Sequence, residues 1–107
     1  MTMSTRHAAA QLLDAGDSTL ADATGLLKAM ANENRLRILC LLDDSELSVS
    51  ELNGKLSLSQ SALSQHLAIL RRENMVSTRR ASQTIYYSLH GDHARRVIDT
   101  LAALYRN

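Results

Sequence analysis

The sequence predicts a mainly α-helical domain with one small β-hairpin. Apolar residues recur at helical spacing over most of the chain, and the period changes to two only over residues 75–89. Proline, phenylalanine and tryptophan are absent, so the core has to be built from Leu, Ile, Val, Ala and Met, which suits packed helices. A chain of 107 residues has the length of one domain. We predict that residues 18–107 form this domain and that residues 1–17 are an extension, mobile or loosely helical.

The composition argues against several classes of protein. No stretch approaches the about 20 apolar residues that span a bilayer, and the N-terminus lacks an apolar secretory core. The single cysteine, Cys40, cannot form an internal disulfide, which is typical of a reducing compartment. We therefore expect a cytoplasmic protein with no membrane partner. Because no glycine-rich phosphate loop, carboxylate pair or activated nucleophile is recognisable, we expect neither an enzyme nor a cofactor.

Charge is distributed unevenly along the chain. Residues 1–57 carry five basic and eight acidic side chains, whereas residues 58–107 carry seven basic and three acidic ones. All seven basic residues of the second half are arginine, the side chain suited to forked hydrogen bonds with phosphate and guanine. This asymmetry indicates a polyanionic partner for the second half of the chain.

Two predicted helices supply most of the core residues in the first half of the chain. Asn32 is a suitable N-cap for the second of them, Glu33 to Asp43. Apolar residues, Cys40 among them, occur on all sides of that helix, so we predict that it is buried and central. The preceding helix, over residues 18–30, places on one face the apolar side chains of Leu20, Ala23, Leu27 and Met30.

Two further helices are predicted with a short turn between them. Ser48 and Glu51 have the spacing of a capping box, which opens a short helix. Ser59 is placed to cap a longer helix that runs to about Asn74. Two helices joined by such a short turn form a candidate helix-turn-helix.

The longer helix has one apolar and one polar face. Because His66 lies beside the apolar leucines, we expect it to pack or hydrogen-bond within the fold. The opposite face carries hydroxyls, amides and an arginine but no carboxylate, as expected of a helix that enters the major groove of DNA. The residues predicted to contact DNA from this helix are Gln60, Ser61, Ser64, Gln65 and Arg72.

The remaining segments predict a hairpin and a last helix. Residues 75–80 and 84–89 alternate around a polar turn at residues 81–83. The hairpin tip is predicted to contact the DNA backbone or minor groove through Arg79, Arg80, Gln83 and Thr84. The last helix, residues 92–106, is apolar on more than one side, so we predict that it packs against a second copy of the chain. The predicted dimer contacts are Leu20, Leu27, Val97, Ile98, Leu101 and Tyr105.

Four helices, a two-stranded hairpin and a last helix make a winged helix-turn-helix, and the sequence resembles one family with that fold. The resemblance to the ArsR/SmtB family of bacterial repressors covers roughly residues 20–105. Within the family, the chain is similar to the branch of nodulation, virulence and biofilm regulators. The resemblance implies a homodimer that binds a pseudo-palindromic operator, an imperfect inverted repeat of double-stranded DNA, in competition with polymerase. It is carried by residues 26–32 (LLKAMAN), 35–39 (RLRIL), 46–52 (ELSVSEL), 58–67 (LSQSALSQHL), 76–80 (VSTRR) and 83–87 (QTIYY).

The resemblance also identifies the positions at which relatives bind metals. Ser48 and Ser50 stand where sensors of thiophilic metals have cysteines, and serine is a poor ligand for such metals. In the zinc site of the last helix, His93 matches a ligand but Gly91 replaces an aspartate. We therefore predict no metal site, with weak binding by the histidines and aspartate of residues 90–93 as the minor alternative.

Cys40 matches the first of two cysteines that thiol-sensing relatives use, and Arg106 stands at the position of the second. A two-cysteine switch is therefore excluded, whereas Cys40 stays a candidate single-cysteine sensor through a sulfenic acid or persulfide. Since Arg37 is its only basic neighbour in the sequence, a buried structural cysteine is the favoured interpretation.

The sequence thus favours a DNA-binding transcriptional regulator, most simply a repressor. One alternative is a redox- or sulfur-responsive regulator that acts through Cys40. Another is a winged-helix module that binds protein, which predicts an acidic or apolar outer face on the longer helix and a hairpin without arginines. The sequence has neither feature.

Overall fold

The computed structural model of the protein describes residues 5–106. The predicted fold class, mainly α-helical with a hairpin wing, is confirmed. Within the described residues the elements follow in the order α1 (Thr5–Asp14), α2 (Asp17–Met30), α3 (Glu33–Leu41), β1 (Leu47–Ser48), α4 (Val49–Lys55), α5 (Gln60–Arg72), β2 (Val76–Ala81), β3 (Thr84–Leu89) and α6 (His93–Leu104).

The structure has one helix and one strand more than the predicted order. Helix α1 lies within residues 1–17 and is rich in alanine and leucine, which have high helix propensity. It is separated from α2 by Gly16, whose φ of 100° is a conformation that residues with a side chain rarely adopt. Strand β1 contains only two residues, too few to show an alternating pattern.

The three strands form an antiparallel sheet in the order β1-β3-β2. Strands β2 and β3 are in register along their whole length, with Val76 opposite Leu89 and Ala81 opposite Thr84. The predicted three-residue turn is a two-residue turn in which Ser82 has a φ of 60°. At the other edge, β1 pairs with β3 and attaches the start of α4 to the hairpin.

The core lies between α3, α5 and the base of the hairpin. Its fully buried aliphatic side chains come mainly from α3 and α5, and α4 contributes one leucine. Removing such a side chain from a close-packed core typically costs about 2–5 kcal/mol. The largest fully buried side chains are Ile38, Leu39, Leu42, Leu52, Leu63 and Leu70.

The predicted helix starts are confirmed by their hydrogen bonds. The Asn32 side chain accepts from the backbone amides of Asn34 and Arg35 at 3.0 and 3.1 Å. Ser48 accepts from the amide of Glu51 at 3.1 Å, and the Glu51 carboxylate accepts from the amide of Ser48 at 2.9 Å, which completes the capping box. Ser59 caps α5 by accepting from the Ala62 amide at 3.1 Å.

The predicted complete burial of the second helix is wrong. In α3, Ile38 and Leu39 are buried, but Arg37 and Cys40 are exposed. The reason is that the helices packed against α3, namely α2 and α5, leave Arg37 and Cys40 uncovered. Cys40 is therefore a surface residue and not part of the core.

Within residues 5–106, no helix combines the length and the apolar character needed to cross a membrane.

Candidate nucleic-acid interface

The outer face of α5 is polar and exposed. Its orientation is fixed because Leu63, Leu67 and Leu70, on the opposite side of the helix, are buried in the core. At 100° per residue, this face contains no carboxylate. Its exposed residues are Gln60, Ser61, Ser64, Gln65, Ala68, Arg71 and Arg72.

An open groove of about 540 Å³ lies between the start of α5 and the tip of the hairpin. Gln60 and Ser64 of α5 line it together with Gln83 and Thr84 of the hairpin. The structure thus brings two predicted site residues of α5 next to two of the hairpin tip, although Ser64 and Gln83 are 19 residues apart in the sequence. Their amides and hydroxyls can donate and accept hydrogen bonds, which suits contacts with base edges and backbone oxygens.

A second open groove, of about 400 Å³, follows the later turns of α5. It is lined by Ser64 and Ala68 and by two arginines, Arg71 and Arg72. Tyr87 of β3 forms part of the same groove. Both arginines are exposed and at the C-terminal end of α5, so cationic groups follow the neutral polar ones along the helix.

The two arginines of the hairpin lie on opposite faces of the sheet. Arg80 is opposite Ile85 and therefore shares the face of Ile85 and Tyr87, both of which line the α5 grooves. Arg79 is opposite Tyr86, and its guanidinium carbon lies 4.8 Å from the centre of that ring. Arg79 also binds the Glu46 carboxylate, with its Nη2 2.6 Å from Oε1 and its Nε 3.0 Å from Oε2.

Charge pairing divides the arginines of the second half of the chain. Arg95 of α6 binds the carboxylates of Asp43 and Asp44 at 2.8 and 3.1 Å. Nε of Arg96 lies 3.9 Å from Oδ2 of Asp92. By contrast, the arginines on the α5 side make no ion pair with any residue that the structure describes. We call the following set the α5–wing surface: Gln60, Ser61, Ser64, Gln65, Arg71, Arg72, Arg80, Gln83 and Thr84.

His66 is held inside the fold, as predicted. Its Nδ1 lies 3.4 Å from Nη1 of Arg35, and the same guanidinium donates through Nε to the carbonyl of Ala29 at 2.7 Å. The carbonyl of Lys28 accepts from Nη2 at 3.4 Å. Arg35 thus connects the C-terminal end of α2 to the buried side of α5.

Three exposed polar residues that line the grooves were not among the predicted site residues. Ser50 and Asn53 of α4 line the first groove, and Arg71 lines the second. Helical spacing could have identified Arg71, because it falls on the same face as Gln60 and Ser64. No local signal could have identified the two α4 residues, because only the packing of α4 against the sheet brings them to the groove.

Cys40 lies in a separate groove of about 450 Å³ between α3 and α4. Leu36 and Leu56 contribute apolar lining, and Arg37 and Lys55 also line it. Partial burial of the thiol, and secondarily the carboxylate of Asp43, raise the pKa of Cys40. A raised pKa lowers the fraction of reactive thiolate at neutral pH.

The described residues contain no group of three or more His, Cys, Asp or Glu side chains that could hold a metal ion. His90 instead makes a 2.8 Å hydrogen bond through Nδ1 with the Ser77 hydroxyl.

The predicted dimer residues lie on α2, on α6 and, for Tyr105, immediately after α6. Leu20, Val97, Ile98 and Leu101 are partly buried in the single chain. Other apolar side chains on the helices near the two ends of the chain are exposed to an unusual degree. Their exposed fractions are 58% for Leu27, 69% for Leu104 and 80% for Tyr105.

Three relatives show what the chain is similar to. The transcriptional activator HlyU of Vibrio cholerae is 58% identical over 85 residues, which make up 79% of either chain. The nodulation protein NolR of Rhizobium meliloti is 52% identical over 83 residues, or 78% of this chain and 68% of the relative. A biofilm growth-associated repressor of Agrobacterium fabrum is 44% identical over 80 residues, or 75% of this chain and 68% of the relative.

The fold agrees with these similarities. The solved structure of HlyU from V. cholerae matches with a TM-score of 0.80 at 53% identity, over 86% of this chain and 100% of that one. Residues 32–78, from the N-cap of α3 into β2, match the family described as bacterial regulatory protein, arsR family. The chain therefore belongs to the ArsR family of bacterial transcriptional regulators.

Proposed function

We propose that this regulator binds double-stranded DNA sequence-specifically, as a homodimer, through the α5–wing surface. The observation that carries the proposal is the outer face of α5, which is polar, exposed and free of carboxylates. Solvated helix faces usually mix acidic and basic residues, whereas a face that lies against phosphates requires that negative charge be scarce. The partner-binding alternative, a protein-interaction module, has no such requirement.

Sequence is read, in this proposal, by the first two turns of α5. Gln60, Ser61, Ser64 and Gln65 present short polar side chains at the end of the helix that enters the major groove. Glutamine can pair in bidentate fashion with adenine, and serine can bond to several bases. Gln65 and Ser61 are outside the groove beside the hairpin, which leaves them free to point at the bases.

The remaining residues of the α5–wing surface contact the backbone. Arg72 lies at the C-terminal end of α5, and Arg80 lies on the sheet face that carries Ile85 and Tyr87, so both can contact phosphates that flank the major groove. Gln83 and Thr84 at the hairpin tip hydrogen-bond to the sugar-phosphate backbone or reach the minor groove. Arg79 was predicted to act with Arg80, but its guanidinium binds the carboxylate of Glu46.

The homodimer is proposed from the apolar side chains of α2 and α6. A second copy related by a two-fold axis covers Leu27 and Tyr105, which are 58% and 80% exposed in the single chain. Two copies of α5 then enter successive major grooves on one side of an imperfect inverted repeat. The other residues of the proposed interface are Leu20, Val97, Ile98 and Leu101.

We propose that binding represses transcription by occluding polymerase in the cytoplasm. One relative is named as an activator and another as a repressor, so the sign of regulation depends on where the operator lies relative to the promoter.

A redox-responsive regulator is the second candidate. It is favoured by one observation, the exposure of Cys40 in a groove that a small oxidant can enter. The raised pKa of this thiol opposes it, because the thiol reacts slowly while it is protonated.

The test is hydroxyl-radical footprinting on the DNA upstream of the protein's own gene. We expect two protected half-sites, about one or two helical turns apart, with related sequences in opposite orientation. Protection that is uniform along the DNA, or absent, would contradict the proposed specificity. Repeating the footprint with peroxide or sulfide separates the redox-responsive candidate from a regulator without this response.

A further inference from the structure

Two neighbouring arginines of the hairpin have different surroundings. Arg80 lies on the face of the sheet that carries Ile85 and Tyr87, towards the grooves of α5. It makes no hydrogen bond or ion pair with the residues that the structure describes. Arg79 lies on the opposite face and is bound on two sides.

The surroundings of Arg79 occupy one of the two edges of its guanidinium that can bind a phosphate. Its Nε and Nη2, which form this edge, both donate to the carboxylate of Glu46 at 2.6–3.2 Å. The ring of Tyr86 lies against the guanidinium at 4.8 Å. Glu46 immediately precedes β1, so this contact joins the hairpin to the strand at the far edge of the sheet.

We propose that Glu46 withholds Arg79 from DNA, so that Arg80 alone supplies the phosphate contact from this strand of the wing. This inference rests on the proposed DNA binding and names a positioning residue within it. A phosphate can bind this edge of Arg79 only by displacing a carboxylate that already satisfies the same two nitrogens. The pair is neutral as a whole, and it therefore releases no counterion on binding.

The pairing has a consequence for specificity. Phosphate contacts strengthen binding to every sequence, whereas the base contacts of α5 strengthen binding to the operator. By removing one cation from the wing, Glu46 lowers the affinity for random DNA and leaves the base-reading residues Ser61 and Gln65 unchanged. Removal of the Glu46 charge is thus expected to raise affinity for all DNA.

The test measures the salt dependence of binding to a fluorescein-labelled duplex of mixed sequence, in which base reading plays little part. Each phosphate contact contributes about −0.9 to the slope of log K against log salt. For Arg80→Gln we expect the slope to become shallower by about 0.9 for each protomer in contact. For Arg79→Gln we expect the wild-type slope.

Glu46→Gln is the decisive variant, because it keeps the shape of the side chain and frees Arg79. We expect its slope to be steeper than that of the wild type by about 0.9 per protomer, with roughly three- to tenfold tighter binding at moderate salt. The double variant Glu46→Gln/Arg79→Gln should return to the wild-type slope. Circular dichroism and thermal melting of each variant confirm that the wing is folded.

Two results would overturn the inference while leaving the proposed function intact. One is a loss of slope in Arg79→Gln as large as in Arg80→Gln, which would make Arg79 a phosphate contact. The other is an unchanged slope in folded Glu46→Gln, which would show that the Glu46 carboxylate does not keep Arg79 from binding phosphate. A wild-type protein without salt-dependent binding would instead contradict the proposed function, and the inference would fail with it.

Discussion

Two exposed surfaces of this molecule have opposite chemistry. The α5–wing surface is polar, carries three arginines that pair with no carboxylate among residues 5–106, and is supported by buried leucines of the same helix. The helices near the two ends of the chain instead expose apolar side chains, among them Leu13 at 66% and Leu104 at 69%. Three acidic residues of the first half of the chain, Asp43, Asp44 and Glu46, form ion pairs with Arg95 and Arg79, neither of which lies on α5.

The difference indicates two kinds of partner. A polar surface with unpaired cations is stable in water, and it gains favourable electrostatic energy when a polyanion binds to it. Apolar side chains exposed to this extent are stabilised by being covered, for which a second copy of the chain is the simplest partner. Variants that alter one surface and leave the other intact test the two partners separately.

The largest effect is expected from the apolar surface. Leu101→Asp places a charge where α6 meets the proposed second copy, and burying an unpaired carboxylate costs several kcal/mol. We expect a monomer at micromolar concentration by analytical ultracentrifugation, with loss of tight operator binding.

The matched control for this variant is Ala103→Asp, which adds the same charge on the exposed polar side of α6. It should stay dimeric and bind the operator. A monomeric Leu101→Asp protein that still protects both half-sites would contradict the proposed dimer.

The next effect concerns base reading by the polar surface. Gln65→Ala is expected to cost about 1–3 kcal/mol on the operator and much less on random duplex. The measurement is fluorescence anisotropy on both DNAs. The control variant is Gln11→Ala, which removes an exposed side-chain amide from α1. Equal losses on operator and random DNA would show that Gln65 contacts only the backbone.

His66→Ala should affect stability and not the choice of DNA sequence. It removes the contact with Arg35 from the buried side of α5, and we expect a loss of about 1 kcal/mol in the free energy of unfolding. Urea denaturation measures the loss, and the ratio of operator to random-DNA affinity should stay at the wild-type value. A changed ratio at unchanged stability would place His66 at the interface with DNA.

The smallest effect is expected from metals and oxidants. Zinc, arsenite or a chelator should change operator affinity less than threefold, or under about 0.7 kcal/mol. Because the pKa of Cys40 is raised, its alkylation by iodoacetamide should show a midpoint at higher pH than that of a free thiol.

Peroxide should act, if at all, through Cys40, by adding a polar group in the groove between α3 and α4. The control is Cys40→Ser treated in the same way. A large loss of binding in the wild type that this variant escapes would make Cys40 a sensor.

Elements with a repeating or local signal could be predicted from the sequence. β3 was predicted with its observed bounds, residues 84–89, and the caps at Asn32, Ser48 and Ser59 form the expected hydrogen bonds. Helix ends were less accurate: α5 ends at Arg72 and not at Asn74, whose φ of 59° is left-handed.

What could not be predicted depends on tertiary contacts. The sequence does not reveal which of Arg79 and Arg80 is ion-paired, because the partner of Arg79 lies 33 residues away. The burial of Cys40 was misjudged because an apolar helix does not reveal which of its sides a neighbour covers. Likewise, β1 exists only through its pairing with β3.

The most direct test of DNA binding through the α5–wing surface is the salt dependence of wild-type binding to duplex DNA. Arg71, Arg72 and Arg80 from two protomers would release counterions from about six phosphates, since no described residue neutralises them. We expect log K to fall linearly with log salt, with a slope between about −3 and −6. A slope shallower than about −1 would contradict the assignment of this surface to DNA.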